Sequence, residues 1–97
     1  MDAAKAIANA VGDLGLDADV YVIGGAAEGR LTVLSDVDIL ICVSESKADP
    51  WRLRRLILTT AMDKHGLPWD YPIELHIRSK KECNELLRRA KKAIKLR

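Results

Sequence analysis

Asp36 and Asp38 flank a single valine at the head of an apolar run, Val37-Asp38-Ile39-Leu40-Ile41-Cys42-Val43. Residues two apart on an extended chain point to the same face, so the two carboxylates lie side by side. There they repel each other and lose hydration, which a plain core would not choose. A divalent cation resolves the conflict. Mg²⁺ takes oxygen ligands and is commonly held by one or two carboxylates together with phosphate oxygens. Taken alone, Asp-x-Asp reads equally well as a solvated turn.

Two further features act on that balance. Gly24-Gly25 ends the preceding β-rich run, Val20-Tyr21-Val22-Ile23. Glycines let backbone approach a phosphate closely, and free amides at a helix start favour anions. By itself the pair reads first as a tight turn. Glu74 is an acidic residue inside a third apolar run, Ile73-Glu74-Leu75-His76-Ile77. Beside the aspartate strand it makes a third carboxylate, and three carboxylates can hold two metals about 3.5–4 Å apart. On its own it reads as the solvent face of an edge strand. His76 shares a face with Glu74 and reads first as an ordinary half-exposed histidine, with a role beside metal or phosphate as the alternative.

The elements that must position these residues follow from periodicity. Ala3, Ala4, Ile7, Ala8, Val11 and Leu14 recur at helical spacing, predicting a helix over 2–14 with Gly15 as its stop. Residues 20–23 form a strand, 25–29 have room for a helical turn only, and 31–34 are a connector. A strand over 37–43 sets Val37, Ile39, Ile41 and Val43 on one face and Asp36, Asp38, Leu40 and Cys42 on the other. Asp49-Pro50 pairs an N-cap residue with proline at the first helical position. The helix then runs to about Lys64, with Leu53, Leu56, Ile57, Thr60 and Ala61 inward, and His65-Gly66-Leu67-Pro68 closes it. Pro72 to Ile77 is the third strand. Ser79-Lys80-Lys81-Glu82 has capping-box spacing and opens a last helix expected to reach Leu96, with Cys83, Leu86, Leu87, Ala90 and Ile94 as its stripe. The order α-β-(α)-β-α-β-α predicts an α/β (α+β) fold, a small mixed sheet covered by helices.

The 97 residues suit one domain spanning 1–97. With 48% hydrophobic and 31% charged residues the chain is globular in composition. Net charge is +2, but Arg78 to Arg97 holds nine Lys or Arg against Glu82 and Glu85. This basic stretch reads first as a solvated helix face, with nucleic-acid binding the less favoured account. Cys42 and Cys83 both read as small buried hydrophobes, so no disulfide is expected. No signal peptide opens the sequence and no run approaches the roughly 20 residues of a membrane helix. The expectation is a soluble cytoplasmic protein with no membrane partner.

Gly24-Gly25-Ala26-Ala27-Glu28-Gly29 followed by Ser35-Asp36-Val37-Asp38-Ile39-Leu40 resembles the signature of the polymerase-β-type nucleotidyltransferase superfamily, most closely its minimal members. The resemblance covers about residues 18–78. It implies a polymerase-β-like fold with Asp36, Asp38 and Glu74 as catalytic metal ligands for Mg²⁺ or Mn²⁺. It also implies Gly24, Gly25, Arg30 and Ser35 around a nucleoside triphosphate, expected to be ATP. A nucleoside monophosphate would pass to an acceptor hydroxyl, with Glu74 as candidate proton acceptor. Gly25 stands where many members carry serine, and Glu28 where minimal proteins often carry arginine. Arg30 is near enough in sequence to replace that cation. Small members often pair with a helical HEPN-type protein in toxin–antitoxin modules, acting as the antitoxin. A chain of this length leaves the acceptor to another chain, and self-association stays open. The alternative is a catalytically weak module that neutralises such a partner by contact.

Overall fold

A computed structural model describes residues 2–24, 37–44, 49–90 and 92–97. Helix α1 (Asp2–Asp13) is followed by strand β1 (Ala18–Ile23) and strand β2 (Val37–Val43). Helix α2 (Pro50–His65), strand β3 (Ile73–Ser79), helix α3 (Lys80–Arg89) and the short strand β4 (Ile94–Lys95) complete the order. The sheet runs β3-β2-β1-β4. β1 is antiparallel to β2 and β4, and β2 is parallel to β3. This is the expected α+β fold with a mixed sheet. The 25–29 turn, the 31–34 connector and residues Gly25, Glu28, Arg30, Ser35 and Asp36 lie outside the described residues.

The local signals act as expected. The Asp49 carboxylate accepts from the Trp51 amide at 3.0 Å, so α2 starts on a side-chain cap with Pro50 just inside it. Gly66 closes α2 in the left-handed conformation, its N–H donating to the Ala61 carbonyl. Ser79 and Glu82 form the capping box at the head of α3.

Alternation along the strands divides the core between two faces. Val20, Val22, Val37, Ile39, Ile41, Leu75 and Ile77 pack against the small-residue face of α1 and against Leu53, Ile57 and Ala61 of α2. On the other face Leu40 and Cys42 meet Cys83 and Leu87 of α3, with Tyr21 and Ile23 alongside. The alanines of α1 matter here, because small side chains let two helices share one side of a narrow sheet.

Three expectations need correction. The last helix stops at Arg89, with Ala90 extended, and the chain continues as β4. Leu96 N–H donates to the Val20 carbonyl at 2.8 Å, and Val20 N–H donates to the Arg97 carbonyl at 3.1 Å. Helical propensity loses to the unpaired backbone groups along the outer edge of β1, which this strand satisfies. The inward stripes are also narrower than expected: Leu56 is 42% and Leu86 39% exposed. In α2 the seam runs at four-residue spacing through Leu53, Ile57 and Ala61, so Leu56 turns off it. Finally, Cys42 and Cys83 form a disulfide joining β2 to α3, with Cα atoms 5.9 Å apart.

β3 is the other edge of the sheet, and its open side is guarded. Arg54 Nη1 donates to the Leu75 carbonyl at 2.7 Å, and Arg78 Nη1 to the Ile77 carbonyl at 2.9 Å. Charged side chains on edge carbonyls oppose pairing with another strand.

Candidate active site

The connection through α2 makes β2 and β3 parallel, so their N-terminal ends lie together. Register then places Asp38 directly opposite Glu74, and Leu40 opposite His76. All four side chains belong to the α3 face of the sheet. That helix covers Leu40 and Cys42. The Asp38 side chain keeps 33% of its accessible surface, and Glu74 is exposed. The carboxylates are thus held by rigid strands yet open to a ligand.

His76 completes the group. Its Nε2 lies 3.2 Å from Asp38 Oδ1, and its side chain is 27% accessible. Asp38, Glu74 and His76 each offer a ligand atom, and those atoms lie within 4.8 Å of one another. Among the described residues no Lys or Arg forms an ion pair with either carboxylate. Two apposed carboxylates and an imidazole, with no neutralising arginine or lysine among the described residues, form a donor set that fits a divalent cation.

β1 closes the site from the other side. Ile23 pairs with Asp38, and Gly24 follows with φ +70°. A Cβ at Gly24 would stand 2.9 Å from Asp38 Oδ2. The positive φ favours glycine here, and an added Cβ would push the Asp38 carboxylate aside. Replacing Gly24 by alanine should strain the backbone by about 1–2 kcal/mol and displace the Asp38 carboxylate from Glu74 and His76. The expected variant stays folded by circular dichroism but binds Mn²⁺ far more weakly than wild type. Unchanged Mn²⁺ affinity would show that the contact has no functional weight.

Of the residues singled out from sequence, the structure gathers Gly24, Asp38 and Glu74 at one place. Asp36, Gly25, Arg30 and Ser35 lie outside the described residues. His76 reads from the sequence first as an ordinary half-exposed histidine. Its two-residue spacing from Glu74 was visible, but its approach to Asp38 depends on the β2–β3 register.

An α+β domain with carboxylates and an imidazole gathered at one end of a mixed sheet is the frame of an enzyme suited to cations and phosphates. The chain belongs to the nucleotidyltransferase domain family, whose model matches residues 4–96. A solved crystal structure, described as that of a proposed nucleotidyltransferase, is similar to it with a TM-score of 0.51 and 29% identity. That likeness covers 91% of this chain and 89% of the other. Among curated proteins none matches. Family and fold together make the protein a nucleotidyltransferase. No helix among the described residues is long and apolar enough to cross a membrane.

Proposed function

We propose that the protein transfers a nucleoside monophosphate from a nucleoside triphosphate, with ATP as the expected donor, to an acceptor hydroxyl. The acceptor oxygen forms a bond to the α-phosphorus, the α–β bridging bond breaks, and pyrophosphate leaves with that electron pair. The observation that carries this reading is Asp38 facing Glu74 in register, with Gly24 against the Asp38 carboxylate. Asp36, one valine earlier, is assigned to the same group. These three carboxylates would hold Mg²⁺ or Mn²⁺, which when bound neutralises charge on the phosphoryl oxygens and the leaving group.

The protein's own residues supply position and proton transfer. Gly24, Gly25, Arg30 and Ser35 are the residues assigned to the triphosphate. Glycines at the turn leave room for phosphate oxygens near backbone amides. Glu74, exposed and close to Asp38, is the residue we assign to take the proton of the incoming hydroxyl. The acceptor we favour is a hydroxyl on a partner protein of the helical HEPN type, which would make this chain an antitoxin.

The test is label transfer to a protein that copurifies with the chain. Label from α-labelled ATP should become covalently attached, in a reaction that needs Mg²⁺ or Mn²⁺ and stops with a chelator. Attachment of γ-label instead would mean phosphoryl rather than nucleotidyl transfer and would overturn the proposal.

A further inference from the structure

We infer that His76 is a direct ligand of the cation held by Asp38 and Glu74, and that its nitrogen tunes the site toward a first-row transition cation over Mg²⁺. This rests on the reading of Asp38 and Glu74 as cation ligands. The geometry comes first. Two ligand atoms at right angles on an ion, each 2.0–2.1 Å away, stand about 3.0 Å apart. His76 Nε2 and Asp38 Oδ1 are 3.2 Å apart, close to that spacing. The remaining ligand atom, from Glu74, falls inside the same 4.8 Å cluster. A single ion can therefore touch all three with small side-chain adjustments. The atom facing Asp38 is Nε2, at the far end of the ring, and a neutral imidazole nitrogen is a metal donor.

The donor type then sets the preference. An all-oxygen group suits Mg²⁺, whose hydration shell yields reluctantly. Imidazole suits Zn²⁺ and its transition-row neighbours, and affinity for nitrogen-containing sites rises along that row from Mn²⁺. Mixing one nitrogen with carboxylates keeps the site open to Mn²⁺ while penalising Mg²⁺ relative to it. His76 is partly accessible and sits opposite Leu40 rather than inside the main core. Its replacement should leave the fold in place.

The experiment is direct cation binding, without nucleotide. Mn²⁺, Zn²⁺ and Mg²⁺ are titrated calorimetrically into the wild type, His76→Ala, His76→Asp and Asp38→Asn, with circular dichroism to verify folding. In parallel, Mn²⁺-loaded protein is examined by pulsed electron paramagnetic resonance for coupling to a ligand nitrogen. The wild type should show that coupling and bind Zn²⁺ more tightly than Mg²⁺. Even an outer partner of a metal ligand is worth about 10- to 100-fold in affinity. His76→Ala should lose at least that much for Zn²⁺, with little change for Mg²⁺, and should lose the nitrogen coupling. His76→Asp, with oxygen restored, should bind Mg²⁺ better than wild type. Equal weakening for every cation in His76→Ala, or no nitrogen coupling in the wild type, overturns the inference while leaving the carboxylate site standing. Unchanged affinities in Asp38→Asn would instead overturn the underlying site.

Discussion

Asp38→Asn should reduce nucleotidyl transfer by several kcal/mol of transition-state stabilisation, a loss of about 10²- to 10⁴-fold in rate. The same substitution should change the free energy of unfolding by less than about 1 kcal/mol. The two effects separate because, under the proposed function, the carboxylate serves a ligand rather than the fold. Asp38 faces Glu74 across parallel strands, so without a cation the charges oppose each other. An amide removes that repulsion and can still hydrogen-bond to His76 Nε2 in either tautomer. The Asp38 side chain keeps 33% of its surface and His76 27%, so solvent screens what remains. Label transfer gives the first quantity and urea denaturation the second. A further readout is linkage. Mn²⁺ at a hundred times its dissociation constant should raise wild-type stability by about 2.7 kcal/mol and leave the variant where it was. Normal transfer by Asp38→Asn would remove the site assignment, whereas loss of transfer with loss of folding would show a structural role.

Removing the Cys42–Cys83 bond should produce the largest change in stability. The bridge joins positions 41 residues apart. Chain-entropy reasoning for a loop of that length predicts about 4 kcal/mol, with measured bridges commonly at 2–4 kcal/mol. Small domains have unfolding free energies of about 5–15 kcal/mol in all, so the loss would be a large part of the margin. The effect concentrates on α3, whose buried contacts are made through Cys83 and Leu87 against Leu40 and Cys42. Reduced protein, or a Cys83→Ala variant, should unfold at lower urea, and amide exchange in α3 should accelerate first. Identical transitions for oxidised and reduced protein would show that the bridge adds nothing. The bond also bears on setting, because disulfides persist mainly in oxidising compartments.

Much of the local structure was legible in the residues. The 37–43 strand was placed correctly along with the division of its faces, because valine, isoleucine and leucine alternate across a two-residue period with both layers apolar. Asp49-Pro50, Gly66 and the Ser79–Glu82 pair marked helix ends through side-chain chemistry that acts within three residues. The tail was not legible. Its residues suit a helix, and only the unpaired edge of β1, far away in sequence, draws them into β4.

The carboxylate pair returns in the same light. Asp36-Val37-Asp38 and Glu74 could be recognised as acidic residues set in apolar strands, together with the glycines that precede them. Those are properties of residue type and spacing, which one sequence carries in full. Which carboxylate faces which, that His76 reaches Asp38, and that Gly24 lies against the Asp38 carboxylate were settled by the register of β3 and β1 against β2. The Cys42–Cys83 bridge was decided at the same level. Strand register and helix placement are cooperative outcomes of burying one face of each element at once. No short segment encodes them, so the chemistry of this site could be named from sequence while its arrangement belongs to the tertiary structure.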